Sequence, residues 1–285
     1  MAIERLGIVG SGIMGSGIAE VAAKAGADVV LRSRKQETAD AMLVGLDKSL
    51  SRQVERGRME EAEATAVRRR VSATADLEAL SDRDLVLESV VEDLAVKKQL
   101  FTELDRIVKD GAILATNTST LPVVEMAVET ARPDRVVGIH FFNPAPAMAL
   151  VEVVRTLVSS AETVDEAVAF AARCGKEPVV VEDRAGFIVN ALLFPYLNNA
   201  VRMLENRTAS RDDIDAAMKG GCNFPMGPLA LLDLVGLDTS VAILDALYAE
   251  FRDPNYAAVP LLRRMVAAGH LGRKSNQGFY DYARK

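Results

Sequence analysis

A glycine-rich stretch at the start of the chain constrains the fold more than any other feature. Residues 6–9 have the pattern of a short buried strand, and Gly10, Gly12 and Gly15 then follow the spacing G-x-G-x-x-G before a helical pattern begins. In that order, the glycines permit a tight turn, the approach of a pyrophosphate, and the packing of the helix on the strand. The helix N-terminus adds free N–H groups and partial positive charge. The stretch therefore predicts a dinucleotide site, with the expected contacts Gly10, Gly12, Ile13, Met14 and Gly15.

Further strand patterns extend this start into an α/β domain. A second strand at Val29–Arg32 completes a βαβ unit, and later apolar runs at 84–92, 112–116 and 136–140 also predict strands. Polar residues follow several of these runs, at the edge where an open α/β sheet binds ligands. We therefore expect a Rossmann-type doubly wound sheet in a dinucleotide-binding domain over residues 1–184.

The pattern changes near residue 184, and from there onward it is almost entirely helical. We expect an all-helical domain over residues 185–285 that serves substrate binding and dimerisation, because its apolar residues occupy more than one helix face. The predicted helices are 186–205, 211–219, 229–251 and 259–268.

Composition narrows the class of protein. Apolar residues make up 49% of the chain and charged residues 26%, as in soluble globular proteins. The chain lacks a bilayer-spanning apolar run and a signal-peptide pattern, and its net charge of -6 disfavours nucleic-acid binding. Cys174 and Cys222 have no metal-ligand spacing. We expect a cytoplasmic protein without a metal, a nucleic-acid partner or a membrane partner.

The residues after the second strand bear on the choice of cofactor. A carboxylate is expected there to bind the ribose hydroxyls of NAD, but the sequence reads Arg32-Ser33-Arg34-Lys35. Ser33 and Arg34 are able to bind a 2′-phosphate, which a carboxylate would repel. Alternatively, they are solvated surface residues and the site takes NAD. The cofactor is therefore NADP or NAD, with NADP slightly favoured.

Longer motifs along the whole chain carry a family resemblance. Besides 10–17 (GSGIMGSG), they are NTS at 117–119, HFFNPAP at 140–146, LVEV at 150–153, GFIVN at 186–190, PMGP at 225–228 and GRKSNQGFY at 272–280. With these motifs the chain resembles the short-chain 3-hydroxyacyl-CoA dehydrogenases, most closely the bacterial 3-hydroxybutyryl-CoA dehydrogenases. The resemblance implies that the protein interconverts a 3-hydroxyacyl-CoA and the corresponding 3-ketoacyl-CoA by hydride transfer with NAD or NADP. The expected pair is 3-hydroxybutyryl-CoA and acetoacetyl-CoA.

The resemblance also implies the catalytic residues. His140 matches the acid/base, and Glu152 matches the carboxylate that orients its ring and stabilises its charged form. Ser119 and Asn190 match residues that hydrogen-bond the substrate oxygen or the ring. Without the resemblance, His140 is a strand-end histidine and Glu152 an ordinary solvated carboxylate.

Binding contacts and the oligomeric state are implied in the same way. Glu92, Lys97 and Lys274 match cofactor contacts, and Asn143 matches a residue near the nicotinamide and the substrate. Ser49 and Arg56 fall where the family touches coenzyme A, on a segment that does not reveal acyl-chain length. We expect a homodimer.

Three other functions stay open at this point. One is a redox-inert, crystallin-like protein that binds the cofactor, which the presence of both His140 and Glu152 disfavours. Another is a dimer-forming subunit of a larger β-oxidation complex, and the third is a dehydrogenase of a free hydroxy acid. Turnover of an acyl-CoA separates the first and third from the expected enzyme.

Overall fold

The computed structural model describes residues 3–283, which form two compact units with their boundary between Asp183 and Arg184. The first unit is built on one sheet, whose strands exclude water from both faces over much of their length. The strands are β1 (Arg5–Val9), β2 (Asp28–Arg32), β3 (Val71–Thr74), β4 (Leu85–Glu88), β5 (Ile113–Thr116), β6 (Val136–Phe141), β7 (Leu150–Arg155) and β8 (Glu177–Glu182). The helices are α1 (Ile13–Lys24), α2 (Gln36–Glu55), α3 (Glu61–Arg69), α4 (Leu94–Ile107), α5 (Val123–Ala127) and α6 (Ala161–Arg173).

The strand order identifies the architecture. It is β3-β2-β1-β4-β5-β6-β7-β8, parallel throughout except that β7 runs antiparallel to β6. The order reverses between β1 and β4, which is the point where doubly wound sheets bind ligands. The predicted Rossmann-type fold is thereby confirmed.

Two details of the sheet differ from the prediction. Strand β3 was not predicted, because it has four residues of which only Val71 is buried. The strand predicted over 84–92 ends at Glu88. Its carboxylate accepts a hydrogen bond from the Val90 N–H at 2.5 Å, and this turn takes residues 89–92 out of the sheet.

The second unit is helical, as predicted. Its described helices are α7 (Val189–Glu205), α8 (Arg211–Cys222), α9 (Pro228–Val235), α10 (Leu237–Phe251) and α11 (Pro260–Ala267). Within residues 3–283, no helix has the length and apolar character needed to cross a bilayer.

Two predicted helix boundaries in the second unit are wrong, for the same reason. The helix expected from residue 186 begins at Val189, because Gly186 and Phe187 have φ of 74° and 48°. The single helix expected over 229–251 is two helices, because Gly236 has φ of 103°. A left-handed backbone interrupts a helix without changing the apolar pattern that predicted it.

A buried carboxylate holds the C-terminal segment of this unit in place. Asp233 accepts hydrogen bonds from the N–H groups of Phe279 and Tyr280, each at 2.9 Å, and from the Tyr282 hydroxyl at 3.1 Å. Burial raises the pKa of Asp233. These contacts fix the segment that carries Lys274.

Candidate active site

The pairing of β6 with β7 places a histidine beside a carboxylate. His140 and Glu152 are register partners in this antiparallel pair, so their side chains share one face of the sheet. His140 Nδ1 lies 2.8 Å from Glu152 Oε2, and the two residues are 4% and 0% exposed. Because an ionised carboxylate only accepts hydrogen bonds, Nδ1 carries the proton and Nε2 is the accepting nitrogen of the neutral ring.

The loop after β5 brings a hydroxyl to the other ring nitrogen. Ser119 Oγ lies 3.0 Å from His140 Nε2. The same loop is tied to the end of β6, since Asn117 Oδ1 accepts a hydrogen bond from the Phe141 N–H at 2.8 Å. Ser119, His140 and Glu152 therefore form a continuous hydrogen-bonded line, which is able to accept a proton at Nε2 and to stabilise the resulting imidazolium.

The glycines of the first turn fit the predicted dinucleotide site. A Cβ on Gly10 would lie 2.2 Å from the Ser89 carbonyl oxygen, and one on Gly15 would lie 2.1 Å from that of Gly10, so the fold itself requires these two glycines. A Cβ on Gly12, at the N-terminus of α1, would meet nothing within 4 Å. The space beside Gly12 and the free helix terminus together suit a bound phosphate. Ile13 beside it is exposed, and Met14 is half-buried.

A cavity of about 650 Å³ opens from this turn between β2 and α4. Its size suits a ligand such as the adenosine half of a dinucleotide. Arg34 is exposed at its border, whereas Ser33 is buried and its hydroxyl is hydrogen-bonded to that of Thr38. The lining residues are Val9, Gly10, Ser11, Gly12, Arg32, Ser33, Arg34, Ser89, Val90, Val91, Val96, Gln99, Leu100 and Glu103.

Two residues that the resemblance assigns to the cofactor differ in accessibility. The side chain of Glu92 is 41% exposed, but that of Lys97 is only 1% exposed. The Lys97 ammonium lies 2.6 and 2.8 Å from the two carboxylate oxygens of Glu88 and 3.3 Å from Glu92. The ammonium of Lys97 is thus paired with the carboxylates of Glu88 and Glu92.

Of the residues assigned to coenzyme A, Ser49 lies on α2 and Arg56 directly follows the last residue of that helix. Ser49 and Arg56 line a cavity of about 380 Å³ together with three more basic side chains. The Ser49 hydroxyl donates a hydrogen bond to Glu20 at 2.7 Å. Burial alone would raise the pKa of Glu20, but hydrogen bonds from Lys24, Ser49 and Gln53 outweigh it and lower that pKa. The three basic residues are Lys48, Arg52 and Arg58.

Sequence reasoning missed Glu20 as a neighbour of this cavity. The signal available was a carboxylate among the apolar residues Ile18, Val21 and Ala22 of α1, where an isolated charge would be costly. In the structure Glu20 is 5% exposed and holds Ser49 in place.

The remaining predicted site residues lie outside these clusters. Asn143 is exposed at the exit of β6 and precedes a cis peptide bond to Pro144. In the second unit, Asn190 is buried in the first turn of α7, and Lys274 forms an ion pair with Asp238. Among residues 3–283, no three His, Cys, Asp or Glu side chains are grouped to hold a metal ion.

Two models of one protein family match this chain, one over each of its two units. The family model for the NAD binding domain of 3-hydroxyacyl-CoA dehydrogenase matches residues 5–184, and that for its C-terminal domain matches residues 186–282. A 3-hydroxybutyryl-CoA dehydrogenase of Mycobacterium tuberculosis is 50% identical over 283 residues, which cover 99% of both chains.

Two solved structures are similar over the full length. FadB2 of M. tuberculosis has a TM-score of 0.97 and 49% identity, and the match covers 99% of this chain and 100% of that one. The (S)-3-hydroxybutyryl-CoA dehydrogenase of Ralstonia eutropha has a TM-score of 0.96 and 40% identity, with the same coverage of 99% and 100%.

Proposed function

Because this chain belongs to the 3-hydroxyacyl-CoA dehydrogenase family, we propose that it interconverts 3-hydroxybutyryl-CoA and acetoacetyl-CoA. Membership makes it an oxidoreductase with an NAD-binding Rossmann domain. The observation that carries the proposal is the line from Ser119 Oγ through His140 to Glu152, with its two contacts of 3.0 and 2.8 Å. A redox-inert binding protein has no use for such a buried acid/base pair.

His140 moves the proton in the proposed reaction. In the oxidative direction Nε2 accepts the proton of the substrate hydroxyl, while Glu152 stabilises the imidazolium through Nδ1. Ser119 keeps the imidazole in position through its contact with Nε2, and it hydrogen-bonds the reacting oxygen of the substrate. In the reductive direction the imidazolium returns the proton. The nicotinamide, when bound, accepts or supplies the hydride at C3.

Other side chains hold the reactants in this proposal. Asn190 hydrogen-bonds the substrate, Asn143 would border the nicotinamide, and the basic side chains that line the cavity of about 380 Å³ attract the phosphates of coenzyme A. The glycine turn would hold the cofactor, with the N–H groups at the start of α1 as hydrogen-bond donors for its phosphates. The proposed cofactor contacts are Gly10, Gly12, Ile13, Met14, Gly15, Ser33, Arg34, Glu92 and Lys274, with Ser49 and Arg56 on coenzyme A.

The test compares a thioester with the free acid. We expect rapid reduction of acetoacetyl-CoA and at least about 100-fold lower kcat/KM for acetoacetate, because the free acid forgoes the binding energy of the coenzyme A portion. Initial rates are read from the absorbance of the reduced cofactor. Equal kcat/KM for the two substrates would instead identify a dehydrogenase of free hydroxy acids.

We propose NADP as the preferred cofactor. Arg34 stands exposed beside the cavity of about 650 Å³, and Ser33 occupies the position where an NAD enzyme usually carries a carboxylate. A guanidinium there favours a phosphate, which it is able to bind through two N–H groups.

Substitution of Ser33 tests this preference. We expect Ser33→Asp to lower the ratio of kcat/KM for NADPH to that for NADH by on the order of 10-fold or more, because the new carboxylate repels the 2′-phosphate. Ser51→Asp, which adds the same charge at an exposed position of α2, is the matched control. A ratio that is identical in the two variants would show that residue 33 does not determine which cofactor is preferred.

We also propose that the protein is a cytoplasmic homodimer. The second unit exposes large apolar side chains, among them Leu192 at 72%, Leu234 at 48% and Phe224 at 42%. Exposed apolar groups of this size are typical of protein–protein contacts. Cys174 and Cys222 are free thiols, as is usual in a reducing compartment.

A further inference from the structure

We infer that Lys97 is a positioning residue for the catalytic histidine, acting through the loop that carries Ser119. Its ammonium joins two carboxylates, Glu88 and Glu92, and each carboxylate holds a different part of that loop. The inference rests on the proposed role of His140, and it gives Lys97 a task other than contact with the cofactor.

The ammonium of Lys97 is buried together with its main partner, Glu88. Lys97 and Glu88 are 1% and 0% exposed, and Lys97 Nζ lies 2.6 and 2.8 Å from the two oxygens of Glu88. The ammonium is thus paired with both oxygens of Glu88 and with one oxygen of Glu92. Its position is set by the fold, since Glu88 ends β4 and Lys97 lies on the first turn of α4.

Glu88 holds the start of the loop. Its second oxygen accepts a hydrogen bond from Thr116 Oγ1 at 2.7 Å, and Thr116 is its register partner at the end of β5. Thr116 Oγ1 in turn accepts the Thr118 N–H at 3.1 Å. The carboxylate therefore fixes the direction in which the chain leaves the sheet.

Glu92 holds the part of the loop that touches the histidine. One of its oxygens accepts hydrogen bonds from Thr118 Oγ1 at 2.5 Å and from the Ser119 N–H at 3.0 Å. The other oxygen lies 3.3 Å from Lys97 Nζ. Ser119 then places its Oγ 3.0 Å from His140 Nε2.

The two carboxylates depend on the cation between them. Without Lys97, the buried carboxylate of Glu88 and the partly exposed carboxylate of Glu92 would repel each other, and Glu92 would be free to turn further toward water. The Ser119 N–H would lose its acceptor, and the loop would no longer be fixed against the imidazole. A misplacement of about 1 Å in such a group lowers rates by up to roughly 100-fold.

The first experiment separates positioning from cofactor contact. We expect Lys97→Met to lower kcat for acetoacetyl-CoA reduction by about 10- to 100-fold even when the reduced cofactor is saturating. The Kd of the reduced cofactor is measured separately by its fluorescence, because Glu92 is itself a proposed cofactor contact. Lys98→Met removes the neighbouring ammonium, which forms surface pairs with Glu125 and Glu129, and is expected to change neither quantity. A weakened cofactor Kd with unchanged kcat would overturn the inference.

A second readout does not depend on turnover. The chain has two histidines, so ¹⁵N-histidine labelling gives imidazole signals from His140 and His270 alone. In Lys97→Met we expect the Nε2 resonance of His140 to move while that of His270 stays, because the contact with Ser119 is lost. An unmoved His140 resonance would overturn the inference, even if the wild-type protein fails to reduce acetoacetyl-CoA and the proposed function is wrong.

A charge-balanced variant covers the case in which Lys97→Met does not fold. Glu88→Gln together with Lys97→Met leaves no unpaired charge in the buried pair, a replacement that proteins often tolerate. We expect this double variant to fold and to retain the displaced His140 resonance, because Glu92 still lacks its cation. A resonance restored to the wild-type position would show that the pair serves stability alone.

Discussion

His140→Gln lowers kcat for acetoacetyl-CoA reduction by about 10²- to 10⁴-fold, the contribution expected of a positioned acid/base. Glutamine keeps a polar side chain of similar reach, but it neither accepts nor releases a proton at working pH. His140 lies at the end of β6, on the opposite side of the switch point from β2 and the adenosine cavity. The Kd for the cofactor is therefore expected to stay unchanged.

The matched control for this prediction is His270→Gln. His270 is the second of the two histidines and lies in the other unit, between α11 and the C-terminal segment. We expect its substitution to leave kcat unchanged. Turnover by His140→Gln at the wild-type rate would show that His140 does not transfer the proton.

Glu152→Gln is expected to have the second-largest effect, a fall in kcat of about 10²- to 10⁴-fold with the imidazole retained. The amide has nearly the shape of the carboxylate, but it lacks the charge that stabilises the imidazolium. Its NH₂ group also donates to Nδ1, which forces the ring proton onto Nε2, the nitrogen that must accept. The contact concerned is the 2.8 Å hydrogen bond from Nδ1.

Glu182→Gln is the control for the loss of one carboxylate from this part of the sheet. Glu182 ends the neighbouring strand β8, where it forms an exposed pair with Arg155. We expect no change in kcat, since exposed pairs contribute little. If Glu152→Gln is as active as Glu182→Gln, the buried carboxylate does not take part in catalysis.

The first turn shows how far the sequence predicts the fold. A strand, the glycine spacing and a helix, in that order, are compatible with few folds. The structure has the Rossmann-type sheet that this order predicts. The missed strand β3 and the helix break at Gly236 have a common cause, because neither changes the apolar pattern. A four-residue edge strand carries one buried side chain, and a positive φ is a property of the backbone.

The candidate site was less accessible from the sequence. His140 and Glu152 were identified by resemblance, and the residues alone described Glu152 as solvated, whereas it is fully buried. Its burial depends on the register between β6 and β7, which the apolar pattern of each strand does not define. The link from Lys97 to Ser119 was missed because its contacts join residues up to 28 positions apart.

The most direct test of the proposed reaction is the initial rate at which the purified wild-type protein oxidises NADPH and NADH with acetoacetyl-CoA. We expect rapid turnover, formation of 3-hydroxybutyryl-CoA, and a higher kcat/KM with NADPH. Turnover preferring NADH would contradict the role of Ser33 and Arg34 in cofactor choice and leave the reaction standing. Cofactor binding with no turnover of acetoacetyl-CoA would show that the hydrogen-bonded line of Ser119, His140 and Glu152 does not catalyse this reaction.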